Sequence, residues 1–281
     1  MSAASSSSAP PPSAAPPIGT VPRPATPARP ASPARAEAVR DTGTVRRESV
    51  RTSSWTARGT VKVQGDVDVG GATTVGLVAI GGRLTAGRFR ARGTLEVTGP
   101  TDVRETLSLD GTVRLDGPVH AGSLDARGTL RSGGELRVDR ALSISGQVEV
   151  PSARVGLLDL TGSATVPGAI DAVVSVRARF RGDSELGIVR ARSVVLAGPP
   201  TAPIPTLWRT VFGGRARVHV GRIEAESVEL SAVDVGFVHG TSIVLGPGAH
   251  VTEIEGTVVR RHATSRVGPE SRSAPPHGLS R

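Results

Sequence analysis

The stretch Gly93-Thr-Leu-Glu-Val-Thr-Gly99 returns as Gly111-Thr-Val-Arg-Leu-Asp-Gly117. It returns again as Gly128-Thr-Leu-Arg-Ser-Gly-Gly134 and Gly146-Gln-Val-Glu-Val-Pro-Ser152. A weaker copy starts at Gly162, and earlier ones start at Gly59 and Gly76. The opening glycines at 59, 76, 93, 111, 128, 146 and 162 are spaced 17, 17, 18, 17, 18 and 16 residues apart. A fixed recurrence of this length marks units that cannot bury an apolar face alone and must stack on their neighbours. Within each unit apolar residues alternate, as in Leu95/Val97, Leu107/Leu109, Val113/Leu115 and Leu136/Val138, the pattern of a strand with one buried face. Three short strands and three corners in about 17 residues describe one coil of a parallel β-helix. The expected fold is therefore all-β, a parallel β-helix solenoid whose coils stack about 4.8 Å apart.

Working outward, inward positions are almost all Val, Leu, Ile and Ala, which suits a narrow interior. Outward positions carry Arg alternating with Asp or Glu, as at Arg114, Asp116, Arg137 and Asp139. A sandwich of hairpins would not impose the recurrence. The pattern loosens after Gly168 and is interrupted by a Pro-rich apolar insert at 199–214. It resumes with a shorter period, Ile223, Val228 and Leu230 matching Val238, Ile243 and Leu245. The reading divides the chain into a disordered tail (1–58), a β-helix body (59–198), the insert (199–214), closing coils (215–259) and a second disordered tail (260–281).

Composition supports that division. The 281-residue chain has 34 basic and 25 acidic side chains, no Cys and an aromatic share of 2%. Residues 1–58 hold ten of the 22 Pro and eight Arg against three acids, too few apolar groups to offset the entropy of ordering. Residues 260–281 hold five Arg and one Glu, so the repeat region is neutral and the flanks carry the excess. Disulfides and thiolate metal sites are excluded by the lack of Cys. Base-stacking surfaces are disfavoured by the scarcity of rings, and no nucleic-acid partner is expected.

The run Arg222-Ile-Glu-Ala-Glu-Ser-Val-Glu-Leu230, followed by Val238-His-Gly-Thr-Ser-Ile-Val-Leu-Gly-Pro-Gly-Ala-His-Val251 and Glu253-Ile-Glu-Gly256, resembles the closing section of bactofilin-type polymer-forming cytoskeletal proteins. The Gly-x-apolar-x-apolar-x-Gly coils before it are similar to the body of that family. The resemblance implies a β-helix, right-handed in that family, whose subunits join end to end into filaments without nucleotide and serve as a cytoplasmic scaffold. It also implies that the tails recruit membranes or wall-synthesis enzymes.

Chemistry is weighed against structure at each remaining feature. The glycines form no Gly-x-x-x-x-Gly-Lys-Ser/Thr phosphate loop; they recur at corners, so no cofactor is expected. Among the histidines, His239 and His250 are the candidates for a catalytic role of the kind used by acyl-transferring β-helices, and His219 reads as outward. No His-x-x-x-His or His/Asp cluster suggests a metal. Asp66/Asp68, Glu224/Glu226 and Glu253/Glu255 form outward rows that would suit a carbohydrate-active β-helix, but arginines stand nearby to make charge ladders. The leading expectation is a non-enzymatic, self-assembling scaffold; the alternative is a carbohydrate-active or acyl-transferring enzyme. Val61 and Val63 at one end, with Ile254 and Val258 at the other, are the candidate polymer contacts. Ile204, Leu207, Trp208, Val211 and Phe212 in the insert are the candidate partner or membrane contact, and the Arg-rich tails are expected to reach an anionic membrane surface or an acidic protein.

Overall fold

Apolar residues two apart, punctuated by corners, leave the chain one economical solution: to wind, placing each coil's strands beside those of the next. The computed structural model describes residues 38–199 and 217–268, and these wind into a parallel β-solenoid of about 12 turns. The strands are β1 (Val39–Arg47), β2 (Val50–Val63), β3 (Val67–Ile80), β4 (Leu84–Val97) and β5 (Thr101–Leu115). There follow β6 (Val119–Ser132), β7 (Leu136–Glu149), β8 (Ala153–Phe180) and β9 (Ser184–Ala197). The last are β10 (Val218–Ser231), β11 (Asp234–Leu245), β12 (His250–Arg261) and β13 (Arg266–Val267). Their spatial order is their chain order, in one sheet with every neighbour parallel. No helix occurs among the described residues.

Each coil has three faces, every one contributing two inward side chains. In β3 these are Val67 and Val69 on the first face, Ala72 and Thr74 on the second, and Val78 and Ile80 on the third. Register stacks like on like: Val61, Val78, Leu95, Val113 and Leu130 form one buried column. The column Trp55–Ala72–Phe89 alternates large, small and large, so the two rings do not compete for the same space. The 15-residue match of Ile223, Val228 and Leu230 to Val238, Ile243 and Leu245 is the β10–β11 register itself.

The recurring glycines share the corner between the second and third faces, stacked from Gly43 through Gly59, Gly76, Gly93, Gly111, Gly128 and Gly146 to Gly162. Gly111 has φ +130, and a β-carbon there would overlap the carbonyl oxygen of Gly93. An L-side chain meets both a disfavoured backbone and the coil beneath. Where the period loosens, β8 runs unbroken through two coils, pairing first with β7 and then, with register shifts, with β9. An apolar cavity of about 20 Å3 lies inside this region, among residues that include Leu142, Ile170 and Phe180.

Two expected boundaries shift. Among the described residues the solenoid begins at Val39, ahead of Gly59, because Gly43-Thr44-Val45 is a further repeat unit whose coil covers β2. At the other end β12 continues to Arg261, and β13 adds a short pairing at Arg266–Val267. Eight of the thirteen arginines assigned to flexible tails therefore stand on the end coils. The insert residues 204–212 lie outside the described residues; β9 and β10 on either side remain paired from Ser184–Val218 to Ala197–Ser231.

Candidate functional site: the ends and charged faces of the solenoid

A solenoid presents two kinds of surface, its ends and its long faces. At the N-terminal end the inward positions of β1 are Val39, Asp41, Val45 and Arg47, stacked on Trp55, Ala57, Val61 and Val63. Asp41 is 3% exposed and occupies a core position. Arg47 reaches it with Nη2 at 2.6 Å and Nε at 2.9 Å, and the indole Nε1–H of Trp55 donates to it at 2.9 Å. The Arg47 hydrogen bond holds the Asp41 carboxyl below its ordinary range, burial acts in the opposite direction, and the Trp55 bond reinforces the lowering. The same bond raises Arg47. A buried carboxylate survives only when paired in this way. The apolar interior thus ends in a polar plug.

That plug corrects one expectation. Val61 and Val63, at 0% and 2% exposure, are interior residues of the second coil, with Val45 and Arg47 on one side and Val78 and Ile80 on the other. They are unavailable for end contacts because β1 covers them. Ile254 and Val258 are placed differently. β13 pairs with β12 only at His250 and Val251, so Ile254 and Val258 have no strand beyond them among the described residues. Ile254 is partly buried, Val258 is 39% exposed and its neighbour Val259 is 66% exposed. Arg261, stacked on Leu245, donates from Nη2 to the Ser265 carbonyl at 3.3 Å.

The first face carries a charge ladder. Arg154 Nε lies 3.1 Å from Glu135 and 4.0 Å from Asp171; Arg190 spans Asp171 at 3.3 Å and Glu224 at 3.0 Å. Arg222 joins Glu224 at 2.6 Å. The Arg190 hydrogen bond holds the Glu224 carboxyl below its usual value against a burial effect, with Arg222 adding to it. Arg154, Asp171, Arg190 and Glu224 border an open groove of about 640 Å3. Exposed pairs of this kind contribute little each to stability.

No family model, curated protein or solved structure matches this chain. The remaining site candidates rest on geometry. His120 has Nε2 3.1 Å from Asp139 and Nδ1 3.5 Å from Asp102. His239 meets Glu255 at 3.1 Å, His250 lies 3.9 Å from Asp234, and His219 is exposed. His239 and His250 thus each face one surface carboxylate. Asp66 accepts from the Arg83 backbone N–H at 2.8 Å, a corner role. Among the described residues no group of three or more His, Asp or Glu is arranged to hold a metal, and no helix is long and apolar enough to cross a membrane. Ile204, Leu207, Trp208, Val211 and Phe212 lie outside the described residues. The Asp41–Arg47–Trp55 plug escaped the sequence reading; its available signal was Gly43-Thr44-Val45, 16 residues before Gly59.

Proposed function

We propose that this protein is a structural, self-assembling scaffold whose solenoids join through their ends into filaments without nucleotide, in the manner of the bactofilin-type proteins its closing coils resemble. The observation that carries this reading is the C-terminal end, where Ile254, Val258 and Val259 stand on a coil that, among the described residues, is left largely without a further strand. Unpaired backbone groups beside apolar side chains template the addition of another strand. The basic end coils and flanking segments serve as a tether to an anionic membrane or an acidic protein, acting through many weak contacts in an array.

Negative-stain microscopy and light scattering of the purified chain test the filament. Ile254→Arg combined with Val258→Arg places charge where a coil must dock, and the scattering should fall to that of a monomer or dimer while the β-sheet circular dichroism is retained. Filaments that persist in the double variant would overturn the end contact. For the tether, anionic vesicles should sediment the full chain at low salt and release it in 0.5 M salt. A truncated chain of residues 38–268 separates the flanks from the end coils.

A further inference from the structure

The second face differs from the other two in how its charges are satisfied. Arg40, Arg58, Arg90 and Arg92 project from it on β1, β2 and β4, and the outward positions of these first four coils contain no acid. On β5, β6 and β8 it carries Asp110, Asp125 and Asp159, with Arg127 the cation among them. None of these eight groups has an ion pair or hydrogen bond among the described residues, whereas the first face is tied together from Glu135 to Glu224. Even Arg92 and Asp110, in register on adjacent coils, form no ion pair. Between the charges stand small groups, Thr56, Thr73, Ser108 and Ser143. The face is basic toward the N-terminus and acidic further along, and an open groove bordered by Thr56, Thr73, Arg90 and Ser108 runs across its basic half.

We propose that this face binds the same face of a second copy, antiparallel, about a two-fold axis lying between β4 and β5 and perpendicular to the solenoid. That alignment overlaps all eight coils. It sets Arg40 against Asp159, Arg92 against Asp110 and Thr73 against Asp125, each twice by symmetry, with no like charges opposed. A parallel arrangement would put arginine on arginine. The face measures about 38 Å by 13 Å, roughly 500 Å2 per copy, which is at the weak end of specific interfaces. Two isolated molecules therefore associate feebly, and aligned polymers associate strongly because the contact repeats. The contact is lateral and uses none of the end residues, so it stands or falls separately from the end-to-end reading.

The chain has no cysteine, which permits a clean trap. Thr73→Cys and Asp125→Cys are prepared as separate full-length proteins in the Ile254→Arg, Val258→Arg background and mixed with a short bis-maleimide linker. A span of about 8 Å suits sheets packed about 10 Å apart. The expected product is the mixed dimer, at least tenfold above either homodimer at low salt and lost in 0.5 M salt. Arg92→Asp should reduce it about tenfold, and Arg92→Asp combined with Asp110→Arg should restore it, because the swap reinstates each pair with its sign reversed. Equal yields of mixed and homodimers, or failure of the swap to restore the product, would refute the proposal.

Discussion

Asp41 shows how one side chain can end a hydrophobic column. Its carboxylate sits where Ala57 sits one coil on, and it is kept there by Arg47 and the Trp55 indole. Asp41→Ala leaves a buried N–H donor unsatisfied, a cost of about 2 kcal/mol. Asp41→Leu with Arg47→Met replaces the pair by apolar groups and should be nearly neutral. Hydrogen exchange of the β1 and β2 amides distinguishes the two. The pH dependence follows from the lowered carboxyl. Because its folded pKa lies below the unfolded one, this stabilisation is complete above about pH 4 and is lost as pH falls through the folded value. In a Trp208→Phe background, the Trp55 emission should shift to the red on acidification as β1 loosens; an equal shift in the Asp41→Leu, Arg47→Met variant would contradict the plug.

At the scale of the coil, the glycine corner decides the architecture. Gly111→Ala should cost about 3 kcal/mol, combining a disfavoured φ with a clash against the preceding coil. Gly71→Ala, with an ordinary φ and open space around the new β-carbon, should fall within about 1 kcal/mol of the parent. Urea midpoints measure both, and similar losses would show that the corner is not selective. This corner is also why the fold was legible: a residue type required once per turn writes the period of the helix into the chain. The first coil was obscured because the proline-rich composition of residues 1–33, averaged over 1–58, masked a repeat unit with only one glycine. The plug was illegible for a different reason. Alternation identifies an inward position but not its occupant's partner, and Asp41 and Arg47 meet only when the coil closes. Val61 and Val63 read as end contacts in the sequence; alternation places them inward, but being inward and being terminal are different properties, and only the position of the first coil separates them.

For the whole molecule, charge is distributed by location rather than by domain. Arg40, Arg46, Arg47, Arg51 and Arg58 stand on the first two coils, and Arg260, Arg261 and Arg266 stand on the last. Bringing an N-terminal end to a C-terminal end therefore opposes like charges, while the second faces offer unlike ones. Salt screens both, with a Debye length falling from about 30 Å at 0.01 M to about 8 Å at 0.15 M. Raising salt should lengthen filaments, as read by light scattering and microscopy, and at the same time separate them laterally. Shorter filaments at higher salt would mean that end joining is itself driven by attraction between charges.

The uniform parallel order of the strands has a mechanical corollary. Backbone hydrogen bonds between coils point along the rod, so a pull on its two ends crosses every inter-coil layer in series and each layer bears the whole load. Strength is then set by the weakest layer and does not grow with length. The β12–β13 pairing, only two residues long, places that layer at the C-terminal end of the described coils. Under tension the rod yields there first, and the coils behind it stay wound and ready to re-engage when the force is released.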